Sequence, residues 1–354
     1  SFTGQYDIET DTFSPDRKLF GPYSGPPPNP MQQNTGFVPT DHGDDGLQLA
    51  DPAHCGSCHT LYTPALDANG EYLGEFPEQT TYLEWEHSTV NKTCQDCHLP
   101  KAMGAVVISN RPRRLAPRFP FGQHHYVGGN SFMVNLLKNN AAVLGVTATD
   151  QHFKDTLDRT QTQLWEKTAV LSAEAMLTPS GDRLEVNVRV ENHAGHKFPS
   201  GLPSRRAWLH VTVTAAGGKI VFESGRPSAD GSIAGNDADA NPALFEPHYD
   251  TINFSDQVQI YEPVMLNFNV EGPGTGDVTY TLLRAYEYAK DNRLLPAGFD
   301  KSTAAPDIGV YGAAATDDDF TGGSDQILYD VDVSGAQGRE LTVTVELLFQ
   351  TLSY

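Results

Sequence analysis

The chain has 354 residues, a formal net charge of −21 at pH 7, and 32 glycines and 24 prolines. This length allows two domains with a sizeable core, whereas the strong acidity argues against nucleic acid and against anionic membrane surfaces as partners. We expect no transmembrane segment, because no apolar run approaches the roughly 20 residues needed to span a bilayer.

Residues 1 to about 51 form a polar segment whose prolines cluster between residues 25 and 30. Proline lacks a backbone donor and fixes its own dihedral angle, so this segment suits neither a helix nor the interior of a sheet. The aromatic side chains of Phe13, Phe20 and Tyr23 give it surface to bury. We predict an extended arm packed on the cofactors that the next segment indicates, with a disordered tail as the alternative.

The next segment contains two motifs of the form Cys-x-x-Cys-His: Cys55-Gly-Ser-Cys58-His59 and Cys94-Gln-Asp-Cys97-His98. This form is the attachment signature of c-type haem, and the two motifs use all four cysteines of the chain. In each motif the cysteines would add to the haem vinyl groups as thioethers, and the histidine would bind the iron on its proximal side. The sequence therefore predicts two covalently bound haem c groups.

Three other cysteine sites fit the motifs less well. Zinc ribbons separate their cysteine pairs by roughly 15–20 residues, whereas Cys58 and Cys94 lie further apart, and zinc does not explain the histidine after each pair. A thioredoxin-like pair requires a βαβ setting that the surrounding sequence lacks. A disulfide framework would scatter its cysteines instead of leaving them in two tight pairs.

The sequence over residues 78–88 predicts a short helix ahead of the second motif. Beyond that motif, residues 111–118 form the only basic cluster of the chain. Its Arg113 and Arg114 are candidates for binding haem propionates, since guanidinium groups pair well with carboxylates. An ordinary surface charge run is the alternative.

A glycine-rich loop over residues 121–130 carries His124 and His125. A helix is predicted from about residue 131 to 144. A second is predicted from about 149 to 172, where apolar residues recur every three to four positions.

From about residue 184 the pattern changes to short segments in which apolar and polar residues alternate, as expected of half-buried strands. They centre on residues 184–191, 207–215, 219–223, 256–262, 277–283 and 340–349. Such a series without intervening helices predicts an antiparallel, immunoglobulin-like β-sandwich.

Two long insertions, at about 225–256 and 293–326, interrupt this series of strands. Each carries an acidic stretch, at 236–241 and 317–325, that is a candidate for calcium through oxygen ligands. Solvated loops are the competing interpretation.

The predicted fold class is therefore α+β. Residues 1–180 would form a small, haem-packed dihaem domain with an N-terminal arm and few helices, and residues 181–354 the β-sandwich.

Two irons need two distal ligands unless one iron stays open. Among the twelve histidines, His87, His125 and His196 are the best placed. His87 lies just ahead of the second motif, His125 lies on the glycine-rich loop, and His196 follows a strand in a Gly/Pro loop. Each could instead be an ordinary surface or core histidine, and His210, within a strand pattern, is interpreted as structural.

Three short stretches resemble multihaem c-type cytochromes of bacteria that respire on extracellular or periplasmic acceptors. They are Glu84-Trp-Glu-His87-Ser, His125-Tyr-Val-Gly-Gly-Asn130 and Gly195-His196-Lys-Phe-Pro-Ser-Gly201. The resemblance implies that His87, His125 and His196 are distal ligands. The chain departs from the family in haem count, because many relatives carry more attachment motifs. One of the three histidines would then be idle, or would serve a haem of a neighbouring subunit, as in similar filament-forming cytochromes.

These observations predict a secreted, periplasmic or extracellular dihaem electron carrier with two bis-histidine irons. In bacteria haem is attached to this motif after export, and a chain that begins at Ser1 is interpreted as a mature form. Redox proteins or extracellular electron acceptors would be its partners, with a homopolymer as a candidate assembly. The alternative is a haem enzyme with one open iron that acts on a peroxide or a nitrogen oxide.

Overall fold

The structure is a computed structural model that describes residues 18–21, 38–39, 49–110, 115–336, 338 and 340–354. The helices of this described part are α1 (Pro52–His59), α2 (Thr81–Glu86), α3 (Cys94–His98), α4 (Ser131–Asn139), α5 (Asp150–Gln163) and α6 (Asp237–Ala240). Its strands are β1 (Lys18–Leu19), β2 (Val38–Pro39), β3 (Leu61–Leu66), β4 (Tyr72–Gln79), β5 (Ala169–Leu177), β6 (Arg183–Asn192), β7 (Arg206–Ala215), β8 (Lys219–Ser224), β9 (Thr251–Ile252), β10 (Ile260–Tyr261), β11 (Pro263–Asn267), β12 (Val278–Thr279), β13 (Ala285–Asp291), β14 (Ser324–Asp332) and β15 (Leu341–Gln350). The predicted α+β class is confirmed.

The chain forms two compact units, and each combines separate stretches of sequence. The β unit comprises residues 60–90 and 164–354, so it includes the segment between the two motifs. The motif unit comprises residues 3–59 and 91–163, as far as these are described. The division into folding domains at residue 180 stays a prediction.

Two sheets pack face to face in the β unit. One has the strand order β5-β6-β14-β9, and the other has the order β10-β7-β15 with β8 also paired to β7. All these pairings are antiparallel except β14 with β9. On β6 the residues from Leu184 to Val190 alternate between buried and partly exposed, and the buried ones join Leu209, Val211 and Tyr329 in one core cluster. The predicted alternation therefore places one face of each strand in the space between the sheets.

A third sheet with the order β12-β11-β13 also belongs to the β unit. The β3–β4 hairpin packs on it through Phe76, which lies in a small core with Met265 and Ala285. Tyr288 donates a 2.8 Å hydrogen bond to the carbonyl of Pro77. The sequence between the two motifs is thereby fixed to the β unit.

The predicted helix over residues 149–172 is wrong in its second half. Helix α5 ends at Gln163, a single π-helical turn covers Leu164–Thr168, and β5 begins at Ala169. Residues 169–177 instead pair with β6 across a short turn at residues 178–182. The adjacent strand supplies a complete ladder of backbone hydrogen bonds, which overrides a helical spacing of apolar residues.

Smaller differences concern element ends. The predicted helix 131–144 ends at Asn139. The predicted strand at 277–283 keeps only Val278–Thr279 before a 3₁₀ turn at Leu282–Arg284. None of the described helices has the length and apolar character that crossing a membrane would require.

Candidate haem site

Each attachment motif lies on one short helix of the motif unit. Helix α1 ends at His59 and contains Cys55 and Cys58, and α3 holds the second motif from Cys94 to His98. Residues three apart in a helix lie on the same side, so each cysteine pair faces in one direction. None of the four cysteines is in a disulfide. This arrangement fits the attachment of one haem by each pair.

The first cysteines of the two motifs meet where α1 contacts α3. Burial, together with the nearby Cys55 thiol, raises the pKa of Cys94 to about 12. Gln95 ties the helices further, since its side-chain amide donates to the carbonyls of Leu49 and Asp51 at 3.2 and 3.1 Å. The two candidate attachment points are therefore neighbours.

A capping box starts α3 immediately before its cysteines. The Thr93 hydroxyl accepts from the backbone N–H of Asp96, and the Asp96 carboxylate accepts from the backbone N–H of Thr93 at 3.0 Å. Such reciprocal caps satisfy donors that a helix start leaves unpaired. A five-residue helix thus keeps the Cys-x-x-Cys-His spacing in helical form.

His98 has the tautomer expected of an iron ligand. Its Nδ1 lies 2.5 Å from the carbonyl oxygen of Val127. A carbonyl oxygen only accepts, so Nδ1 carries the proton and the ring lone pair is on Nε2. Metal-binding histidines are commonly oriented by a backbone carbonyl in this way.

The glycine-rich loop that carries His125 lies along the end of α3. The backbone N–H of Val127 donates to the His98 carbonyl at 3.0 Å, and that of Gln123 donates to the Pro100 carbonyl at 3.0 Å. His125 is exposed on this loop. The structure therefore brings His125 into the same unit as both motifs.

His87 and His196 belong to the β unit, and their tautomers differ. The Nδ1 of His196 lies 2.9 Å from the carbonyl of Lys197, which puts its lone pair on Nε2 as in His98. The Nε2 of His87 lies 2.9 Å from the carbonyl of Asp300 and carries the proton itself. The His87 ring also packs edge-on against Phe299, with 4.8 Å between ring centroids. In this conformation only Nδ1 of His87 has a lone pair for a metal.

A buried ionic network joins the segments that carry these two histidines. Glu84 of α2 is fully buried. Its Oε2 accepts the backbone N–H of Lys197 at 3.0 Å, and its Oε1 lies 3.0 Å from Nη2 of Arg293. Asp291 completes the network at 2.7 Å from Nζ of Lys197 and 2.8 Å from Nη2 of Arg293.

The charges of this network balance in pairs, two cations against two carboxylates. Burial by itself would raise the pKa of Asp291, but the positive charges of Arg293 and Lys197 outweigh it and lower that pKa. Sequence reasoning missed Asp291 and Arg293. Their only local signal was a charged run within an otherwise apolar stretch.

Gly195 brings the two segments into close contact. A Cβ at this position would lie 3.1 Å from Cδ1 of Trp85, the residue two before His87. The stretches around His87 and His196 therefore meet within the β unit through both packing and charge.

Two predicted arginines and one predicted structural histidine remain to be placed. Arg113 and Arg114 lie outside the described residues, so their pairing with propionates stays a prediction. His210 lies between Glu223 and Glu346, with its ring nitrogens 3.2 and 2.9 Å from their carboxylates, in keeping with a structural role.

No protein-family model and no curated protein matches the chain. Among solved structures, the chain is similar to a penta-haem cytochrome c552 from Thermochromatium tepidum, with 16% sequence identity and a TM-score of 0.46. The match covers 87% of this chain and 50% of that cytochrome, so the chain spans about half the length of the structure it matches.

Proposed function

We propose that the chain is an exported dihaem c-type cytochrome that passes single electrons through two low-spin, bis-histidine irons. The observation that carries the proposal is the pair of adjoining helices α1 and α3, each with one complete attachment motif. Bound haem would supply the redox chemistry. The protein would anchor it through Cys55, Cys58, Cys94 and Cys97, and bind the irons on the proximal side through His59 and His98.

For the distal positions we favour His125 and His196. His196 has its lone pair on Nε2 because Nδ1 donates to a backbone carbonyl. His125 is exposed on a loop fixed to α3. His87 is the weaker candidate, since its Nε2 donates to Asp300. Two histidine ligands favour a lower potential than a histidine–methionine pair.

The test is the spectrum of the oxidised protein and of two variants, made in a host that attaches c-type haem. We expect an intact mass two haems above the peptide and a low-spin spectrum for both irons. His196→Ala should convert one haem to high spin. His193→Ala, an exposed histidine of the same loop with its ring 3.5 Å from Glu191, should leave the spectrum unchanged.

A peptide mass without haem would overturn the proposal. A high-spin iron in the unaltered protein, with ready cyanide or peroxide binding, would support the enzyme alternative instead. Because haem attachment follows export, the proposed compartment is the periplasm or the cell exterior, with redox proteins or extracellular acceptors as partners.

A homopolymer of this cytochrome is a second candidate, and the edge strand β5 favours it. Among the described strands β5 pairs only with β6. Its Val170, Met176 and Leu177 have 45%, 65% and 48% of their surface exposed. A cleft lined by Leu171, Ala173 and Val345 opens between β5 and β15. An unpaired edge with exposed apolar side chains can accept a strand from another chain. The predicted N-terminal arm as donor falls mostly outside the described residues.

A further inference from the structure

A second cluster of chemically active side chains lies in the β unit, where its two long insertions meet. It contains His248 and Asp250, which precede β9, and Asp317 and Asp319, which precede β14, together with Asp325 on β14 itself. Two sets of three ligand atoms lie within 4.8 Å of one another. One set comes from His248, Asp317 and Asp325, and the other from Asp250, Asp317 and Asp319. Asp317 is common to both sets.

Asp325 has one carboxylate oxygen without a partner although the residue is fully buried. Its Oδ2 accepts from the Tyr261 hydroxyl at 2.7 Å and from Nε2 of Gln259 at 3.2 Å. Its Oδ1 makes no hydrogen bond and faces into the cluster, 3.7 Å from Nε2 of His248. A buried acceptor is costly to leave unpaired, so this oxygen indicates a ligand.

The tautomer of His248 decides which atoms remain available. Its Nδ1 lies 2.8 Å from Nε2 of Gln259 and 3.0 Å from Nδ2 of Asn292. Both amides are oriented by backbone donors, because their oxygens accept from the N–H groups of Tyr249 and Glu262. Nδ1 of His248 is therefore an acceptor, and its Nε2 carries a proton that it donates to Asp317 at 3.0 Å. The ligand set that remains consists of carboxylate oxygens.

Within the described residues, no lysine or arginine nitrogen forms an ion pair with Asp250, Asp317, Asp319 or Asp325. Lys301 is nearby but donates to the backbone carbonyls of Ala314 and Asp317. Asp317 and Asp319 lie close to Asp325 or to each other in the two sets, so their negative charges repel. A charge-dense group of this kind needs a proton or a cation for balance.

We propose that Asp250, Asp317, Asp319 and Asp325 bind one divalent cation of the calcium class, with Asp317 as the central ligand. Calcium takes six to eight oxygens at about 2.3–2.6 Å, so opposite ligands lie up to about 5 Å apart. The oxygens of Asp250, Asp317 and Asp319 meet this spacing, and Asp317 also lies within 4.8 Å of Asp325. A zinc site would need a histidine nitrogen with a free lone pair toward the ion. Nε2 of His248 faces these carboxylates but carries a proton. The cation joins the loop before β14 to the segment before β9 and so fixes the two insertions to the sheet.

The test is calcium binding by the full-length haem-loaded protein after treatment with a chelator. Equilibrium dialysis against calcium, with metal analysis, should give one ion per chain with a dissociation constant on the order of 10⁻⁴ M or tighter. Calcium should raise the thermal unfolding temperature. Asp319→Asn should weaken binding roughly tenfold or more, by analogy with the loss of other metal-site groups.

The control is Asp318→Asn, a fully comparable charge loss at an exposed neighbour outside both sets. It should bind calcium as the unaltered protein does. The chelated Asp319→Asn protein should unfold near the temperature of the chelated unaltered protein, which separates lost binding from lost folding. Absence of stoichiometric calcium at millimolar concentration would overturn the proposal. So would equal weakening in Asp318→Asn, or binding of zinc in place of calcium.

Discussion

Glu84 is the residue on which the contact between the two histidine-bearing segments most depends. It neutralises Arg293 and accepts the backbone N–H of Lys197 while fully buried. Removing one member of a buried charge group leaves the others uncompensated, which commonly costs about 3–5 kcal/mol. We expect Glu84→Gln to lower the free energy of unfolding by this amount in urea denaturation.

Glu86→Gln is the matched control for this change. Glu86 lies on the same helix but is exposed, and its Oε1 accepts a long hydrogen bond from the Tyr82 hydroxyl, at 3.4 Å. Exposed substitutions usually change the free energy of unfolding by no more than about 0.5 kcal/mol. Equal effects of the two substitutions would contradict the role assigned to the network.

Asp291 makes the same network sensitive to acid. Its pKa in the folded protein lies below the ordinary value of 3.8, because Arg293 and Lys197 stabilise its charge. A carboxylate of this kind contributes stability above its unfolded pKa, and that stability is lost as the pH falls through the folded value. We expect the free energy of unfolding to fall steeply below about pH 4, and the fall to be smaller in Asp291→Asn. Parallel profiles would show that Asp291 does not contribute to the acid sensitivity.

The sequence made part of this site predictable. Glu84 and Lys197 belong to the stretches whose resemblance singled out His87 and His196. The sequence therefore indicated both segments but not the contact between them. Asp291 and Arg293 could not be found in this way, because they lie some 94 residues beyond Lys197 and no periodicity links the two regions. The orientation of His87 toward Asp300 depends on a similarly distant contact.

At the scale of elements, the turn at residues 297–300 holds the segment that follows α2. The backbone N–H and the hydroxyl of Thr89 both donate to the Ala297 carbonyl, at 3.0 and 3.1 Å. Gly298 permits this approach, because a Cβ there would lie 2.2 Å from Oγ1 of Thr89. The close packing of glycine against Thr89 therefore sets the position of the chain just after His87.

We expect Gly298→Ala to displace Thr89 and destabilise the β unit. Gly298 has φ of +72°, which itself disfavours alanine by about 1–2 kcal/mol, and overpacking adds about 1–3 kcal/mol. Gly217→Ala in the β7–β8 hairpin is the control, since its φ is +86° and no atom lies within 4 Å of the added Cβ. Chemical denaturation of both variants measures the difference. Equal destabilisation would mean that the Thr89 contact is loose.

Strand periodicity was the most informative sequence signal at this scale. The alternation at residues 184–191, 207–215 and 340–349 predicted β6, β7 and β15. One face of β6 and one face of β7 are buried in the sandwich core, and the inward face of β15 is partly buried against it. The same reasoning failed at 169–177, where an exposed strand has no alternation to reveal it. The acidic stretch at 317–325 was visible, but its partners His248 and Asp250 come from the other insertion.

At the scale of the whole molecule, the net charge repels other copies of the chain, whereas an exposed strand edge attracts them. The net charge of −21 repels other copies of the chain, and the repulsion weakens as salt shortens the Debye length to about 8–10 Å. The edge strand β5 and the adjoining cleft offer the attraction. Association through them should therefore strengthen as the ionic strength rises.

We expect the haem-loaded protein to form larger assemblies at higher salt and protein concentration, as measured by light scattering and electron microscopy. A head-to-tail contact that does not close into a ring would produce a filament. Met176→Lys places a charge on the exposed edge of β5 and should prevent assembly. Ile220→Lys, at a 52%-exposed apolar residue of β8, is the control and should leave assembly unchanged. A monodisperse monomer at every salt concentration, or equal loss of assembly in both variants, would exclude β5 as the contact between copies.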